Sequence, residues 1–212
     1  SHETERKNLQ GAFFMQSNME NEVESSYKGK DQGTGIKAWF TPKMIAYNSI
    51  VAAIYVVLTV VCFYASYGLL NFRISEILNI LVFFNPAYII GLTVGCLISN
   101  AFGLLLSMAG PWDLLIGTGA TLIGCLAMIP CKHLLIATFM PVISNAVIVG
   151  AELTWLMELV TPNLWWVAMG YVFIGEFLII SVVGYIIFFI IGTKNKPFLK
   201  TLNATKNLNF AW

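Results

Sequence analysis

Charge is scarce in this chain, and acidic residues and histidines are scarcer still. Of 212 residues, 11% are charged and 58% hydrophobic, whereas a soluble domain holds about 25% charged and about 45–50% apolar residues. Beyond residue 35 only five acids remain: Glu76, Asp113, Glu152, Glu158 and Glu176. The two histidines, His2 and His133, cannot supply a histidine metal cluster, and H-E-x-x-H is absent. No G-x-x-x-x-G-K-[ST] occurs, so the chain binds no ATP in a P-loop, and no G-x-S-x-G occurs either. These absences disfavour an intramembrane or lipid-modifying enzyme. The four cysteines (Cys62, Cys96, Cys125, Cys131) form no C-x-x-C pair and lie in or beside apolar runs, so they read as packing residues. The net charge of +1 carries no signal for a nucleic-acid partner, and neither metal nor cofactor is expected.

What remains is oily sequence. The fold class expected is an all-α integral membrane protein. A span needs about 20 residues, which leaves room for five to seven spans and no separate catalytic domain. Residues 1–35 differ: they are polar, mixed in charge and without an apolar signal-peptide core. They read as a flexible tail or short surface helix, part of it an expression remnant given the Ser1-His2 start. The membrane domain is placed at 36–192 and a basic C-terminal tail at 193–212.

Six spans are predicted, over about 44–66, 76–85, 87–107, 114–130, 133–157 and 164–192. Thr41-Pro42 marks the first helix entry, Asn85-Pro86 a break, and Gly110-Pro111-Trp112-Asp113 and Thr161-Pro162-Asn163 turns. The second span is too short to cross fully. Lys37 and Lys43 precede the first span, and Lys194, Lys196, Lys200 and Lys206 follow the last. Basic loops face the cytoplasm, so both termini are expected there, which requires an even count. Six spans also place Lys132-His133 inside and leave Arg73 as the one basic residue outside.

In this arrangement all five acids fall toward the outer side. Glu76 and Asp113 stand at outer helix starts, where the helix dipole favours a carboxylate and capping is an adequate explanation. An ion pair with Glu76, three residues on, would account for Arg73. Glu158 reads as a solvated charge. Glu152 and Glu176 lie inside apolar runs with no basic residue near in sequence, and a carboxylate at a helix centre costs roughly 2.5–3.5 kcal/mol. They are the candidates to meet a polar ligand or a transported proton. Asn145 lies seven residues before Glu152 and can share its face. Trp112 and Trp155 are candidate stacking walls; Trp165, Trp166 and Tyr171 fall at the same boundary, where tryptophan is commonly an anchor. Carboxylates, an amide and indoles suit a planar, donor-rich molecule, and cation–π contact would reinforce a positive group. On the first span Ala46, Ser49 and Ala53, with Ala52 beside them, form a small-residue stripe that admits another helix, either a partner's or the chain's own. Gly91, Gly95, Gly117 and Gly119 read as internal close contacts.

Several segments carry a resemblance. Phe72-Arg73-Ile74-Ser75-Glu76, Phe83-Phe84-Asn85-Pro86-Ala87, Gly91-Leu92-Thr93-Val94-Gly95-Cys96-Leu97-Ile98-Ser99-Asn100, Trp112-Asp113, Gly117, Ala120-Thr121-Leu122, Asn145 through Glu152 and Gly175-Glu176 resemble, in order and spacing, the QueT family. The resemblance covers about 44–192. It implies a substrate-capturing S component of an energy-coupling-factor (ECF) transporter: a six-helix S-component-like bundle in the bacterial plasma membrane with both ends cytoplasmic. Its implied substrate is a queuosine precursor, a 7-deazaguanine such as preQ1. Implied partners are a transmembrane coupling subunit and two ATPase subunits, with docking through an alanine-x-x-x-alanine motif on the first helix. Here Ser49-Ile50-Val51-Ala52-Ala53 is nearest, with serine in the first place. On this basis Glu152 and Glu176 are the expected ligand carboxylates, Asn145 an amide contact, and Arg73, Glu76 and Asp113 an outer rim. The competing expectation is a stand-alone, proton-coupled secondary transporter of a small planar cation.

Overall fold

The computed structural model describes residues 39–62, 66, 72–107, 109–158, 160–194, 199 and 201–204. The chain divides into two units, Ser1–Thr41 and Pro42–Trp212, and the elements below belong to the second. The expected tail at 1–35 and most of 193–212 lie outside the described residues. Every regular element among the described residues is helical.

Helix α1 (Pro42–Val61) opens on its proline, where the missing N–H is harmless. A tightly wound 3₁₀ segment, Ile74–Ile80, runs into the short α2 (Leu81–Phe84). Asn85 then takes an extended backbone, as a residue before proline must, and its side chain caps the next turn by accepting from Ala87 N–H at 3.0 Å. Pro86–Tyr88 leads into α3 (Ile89–Leu105). Helices α4 (Ile116–Met128) and α5 (Leu134–Trp155) follow. After a turn at Pro162–Leu164, α6 (Trp165–Glu176) continues through a wide π-wound stretch, Phe177–Gly184, into α7 (Tyr185–Lys194).

Among the described residues, four stretches are long and apolar enough to cross a bilayer: Pro42–Val61, Pro86–Leu105, Leu134–Trp155 and Pro162–Gly192. The chain is a multi-pass membrane protein. Two of the six predicted spans are shorter, Ile74–Phe84 and Ile116–Met128. The first agrees with a segment that does not cross fully. At about 1.5 Å per residue, the 13 residues of α4 also fall short of the hydrocarbon thickness.

Because lipid offers no hydrophobic reward for helix association, close contact depends on small residues. Successive helices pack side by side, α1 on α3, α3 on α4, α4 on α5 and α5 on α6. A Cβ at Gly95 would come within 2.9 Å of Tyr55 Cβ, and one at Gly124 within 2.6 Å of the Pro141 backbone. Gly119, expected as a close contact, faces open space instead. Ala120, Val149, Leu153, Ala168 and Val172 close the α4–α5–α6 core.

The described C-terminal residues return to the bundle. Tyr88 O–H donates to the Leu202 carbonyl at 3.0 Å, Asn85 Nδ2 to the Asn203 carbonyl at 2.8 Å, and Lys43 Nζ to Asn203 Oδ1 at 3.2 Å. Leu199 and Ala204 are buried.

Candidate functional site

Glu76 is completely buried. Its Oε1 accepts from the Tyr55 hydroxyl of α1 and, at 3.2 Å, from Thr121 Oγ1 of α4; its Oε2 accepts from Asn79 Nδ2. Three elements thus hold one carboxyl by donors alone, the arrangement that favours an acid inside a low-dielectric interior. The sequence placed Glu76 at a helix start as a cap or rim group. It is in the first turn of Ile74–Ile80, but the side chain turns inward and makes a tertiary contact rather than a cap.

Arg73 is buried as well. Its Nη2 donates to Asn100 Oδ1 at 2.7 Å and its Nε to the Ser66 carbonyl at 3.4 Å. Asn100 Nδ2 donates in turn to the Asp113 carbonyl at 2.8 Å and to Thr118 Oγ1 at 3.3 Å. Asn100 therefore ties the arginine to the turn that carries Asp113. The guanidinium charge acts on Asp113 and Glu76. The expected outer rim of Arg73, Glu76 and Asp113 is instead an interior network with all three residues buried. A guanidinium so poor in water needs acceptors and counter-charges, and the bundle interior supplies both.

Helix α5 contributes Asn145 and Glu152 on one buried face, 2% and 1% exposed, and α6 ends on the buried Glu176. Glu176 lies near Asn145 and in the field of Glu76 and Arg73. Glu152 lies in the field of Asp113 and Arg73. The Asp113 carboxyl faces it closely, yet neither Glu152 oxygen is placed to accept a proper hydrogen bond, and Asn145 Oδ1 also accepts none. Buried polar atoms are satisfied in the great majority of cases, and a donor-rich partner would satisfy the acceptors left open here. The π winding begins directly after Glu176; such widenings are frequent at functional sites. Glu152 also backs a groove of about 470 Å³ that it shares with Ile116, Ile148, Ala151 and Trp155.

Comparison with known proteins follows the same boundaries. Residues 45–193 match the family described as QueT transporter. This chain belongs to the QueT transporter family. A curated relative, the queuosine precursor transporter QueT of Lactococcus lactis subsp. cremoris (strain MG1363), is 54% identical over 54 residues, covering 24% of this chain. The match spans about a third of that relative's length, 32%. No solved structure matches.

Within this QueT family member the structure gathers Arg73, Glu76, Asp113, Asn145, Glu152 and Glu176 into one buried polar cluster. The tryptophans are not buried with it, although Trp155 lines the groove that Glu152 backs. Trp112 is 49% exposed; Trp155 is 55% exposed and stacks on Trp165 with ring centroids 6.2 Å apart. Glu158 is exposed, as expected of a solvated charge. Along α1, Ala46, Ser49 and Ala53 lie on an exposed face, and the Ser49 hydroxyl is satisfied within the helix by the Ile45 carbonyl at 2.9 Å. Ala52 does not join that face. It is buried against Gly95 of α3, because adjacent helix positions point about 100° apart.

Sequence reasoning missed Tyr55, Asn79, Asn100 and Thr121, the uncharged partners of the buried charges. Asn79 follows Glu76 by three residues, a spacing that brings side chains together and signals it in retrospect. Tyr55, Asn100 and Thr121 meet the charges only through tertiary packing.

Proposed function

We propose that this chain is the membrane-embedded substrate-binding subunit of an importer for a queuosine precursor, a 7-deazaguanine such as preQ1. The observation that carries this reading is the buried Asn145–Glu152–Glu176 group, with acceptors left open on Glu152 and Asn145. A 7-deazaguanine presents a ring N–H and an exocyclic amine side by side, which one carboxylate accepts together, and a carbonyl suited to an amide donor. Charge-assisted hydrogen bonds of this kind are roughly twice as strong as neutral ones. The Lactococcus relative, named for queuosine precursor transport, supports the same ligand class.

The energy source belongs to partners in this reading: an ECF-type coupling subunit and two ATPase subunits, in the bacterial plasma membrane. The chain has no P-loop of its own. The exposed stripe of Ala46, Ser49 and Ala53 on α1 is a suitable close-approach face for the coupling subunit.

The test is calorimetric titration of the detergent-purified protein with preQ1. Glu152→Gln and Glu176→Gln should each weaken binding about ten-fold or more, the loss of a charged hydrogen bond worth roughly 1.5–3 kcal/mol. Unchanged affinity in both variants would remove these residues from the site.

A further inference from the structure

We propose that Leu199 and residues 201–204 form a releasable strap that clamps α1 to α3 at the end of the bundle away from the polar cluster, and that undoing it opens the path by which ligand leaves inward. The exit role rests on the importer reading above; the clamp does not.

Three donors of the bundle converge on this short stretch. Tyr88 O–H reaches the Leu202 carbonyl at 3.0 Å, Asn85 Nδ2 the Asn203 carbonyl at 2.8 Å, and Lys43 Nζ the Asn203 Oδ1 at 3.2 Å. Asn203 Nδ2 also lies 3.6 Å from Met44 Sδ. Asn203 thereby touches the start of α1 and the break before α3 at once. Leu199 and Ala204 anchor the stretch by burial, and the Ala204 N–H closes it onto the Leu199 carbonyl at 3.1 Å. Asn85 and Tyr88 are themselves buried. Buried donors need acceptors, and these two find theirs in the strap rather than in a neighbouring span.

The position makes the strap a clamp. Helices α1 and α3 pack side by side, with Asn48 against Gly91 and Tyr55 against Gly95. The same helices carry Tyr55, which holds Glu76, and Asn100, which holds Arg73. At about 1.5 Å per residue, Tyr55 lies roughly 16 Å beyond Met44, and Asn100 roughly 18 Å beyond Tyr88. The strap thus grips the two helices at the ends remote from the cluster. It meets α1 at the buried Met44 and leaves the stripe of Ala46, Ser49 and Ala53 exposed. A partner seated on that stripe can act on α1 while the strap still holds its inner side.

The chemistry makes it releasable. Lys43, at the helix end, is exposed, and where water can replace an acceptor the net strength of a hydrogen bond is small. Asn203 has a left-handed backbone, φ 50°, which asparagine tolerates and a β-branched residue does not. One substitution there can undo the turn without touching the polar cluster.

The experiment uses the full-length detergent-purified protein and three variants. Asn203→Gly keeps the left-handed turn and both strap carbonyls. Asn203→Val disfavours the turn, and Tyr88→Phe removes one donor from the bundle side. Hydrogen exchange read by mass spectrometry should show amides of residues 43–50 and 86–93 exchanging about ten-fold faster in Asn203→Val and several-fold faster in Tyr88→Phe, as for a local opening. Asn203→Gly should stay close to the wild type, and α4 should be unchanged in all. Bound preQ1 should dissociate faster by similar factors in Asn203→Val and Tyr88→Phe. Wild-type exchange at 43–50 and 86–93 in those two variants overturns the clamp. So does acceleration that extends equally to α4, which is general destabilisation, or an Asn203→Gly that opens as far as Asn203→Val. Local opening with an unchanged rate of preQ1 loss overturns the exit role. A wild type that binds no preQ1 overturns the ligand class and the exit role together, and the exchange result still decides the clamp.

Discussion

Arg73→Met is expected to destabilise the protein by about 3–5 kcal/mol, the usual penalty for removing one side of a buried charge pairing. The arginine is the cation among four buried carboxyls in the described cluster, and it is fixed at both ends of its fork, to Asn100 Oδ1 at 2.7 Å and to the Ser66 carbonyl at 3.4 Å. Methionine fills similar space but leaves Glu76 and Asp113 without the charge that acts on them. It also strands Asn100, whose amide positions the Asp113 turn. The loss is large beside a typical stability of about 5–15 kcal/mol. Thermal unfolding in detergent, followed by tryptophan fluorescence, measures it. The diagnostic control is Arg73→Met combined with Asp113→Asn. If electrostatics dominate, the double variant is more stable than the sum of the two single effects allows; strict additivity would mean that Arg73 acts by packing alone. Arg73→Lys should recover only part of the loss, because an ammonium lacks the planar fork that reaches both acceptors.

Gly91→Val should separate α1 from α3. Even the first added carbon would sit 2.5 Å from the Asn48 carbonyl oxygen and 2.9 Å from Asn48 Cα, both backbone atoms with no freedom to yield. Relief requires the helices to move apart. That movement breaks the Gly91 N–H donation to Asn48 Oδ1 at 2.9 Å and the Asn48 Nδ2 donation to the Ala87 carbonyl at 3.0 Å. Overpacking of this kind costs about 1–3 kcal/mol, and each hydrogen bond adds about 1 kcal/mol. Gly119→Ala is the matched control: nothing lies within 4 Å of its added carbon, so it should leave stability unchanged or raise it by up to about 1 kcal/mol. The same unfolding assay reads both variants, and equal shifts at the two glycines would contradict the close-approach account.

How far the sequence shows this molecule depends on the range of the interaction concerned. Helix content, the break at Asn85-Pro86 and the turn at Pro162 were legible because proline, capping and apolar run length act locally. The shared face of Asn145 and Glu152 was legible because seven residues are nearly two helical turns. The winding was not: Ile74–Ile80 tightens to 3₁₀ and Phe177–Gly184 widens to π, in packing where Gly184 brings its helix against Ile80. The direction of Arg73 was hidden as well. Loop-end position and the positive-inside rule assign it to an outer surface, whereas Asn100, twenty-seven residues away, draws it inward. The acids stood out by scarcity, but which were satisfied and which open was settled by Tyr55 and Thr121, residues with no mark in a single sequence. Ala52 shows a finer limit: composition groups it with Ala53, and helical rotation buries the first and leaves the second exposed.

The central claim is that the buried group of Asn145, Glu152 and Glu176 holds a 7-deazaguanine. Native mass spectrometry of the detergent-purified protein, incubated with preQ1 and released by collision, tests it most directly. One equivalent of unaltered preQ1 should travel with the wild-type protein and be lost from the Glu152→Gln/Glu176→Gln double variant. A wild-type protein that carries no base at saturating preQ1, or a double variant that retains it as well as the wild type, would contradict the claim.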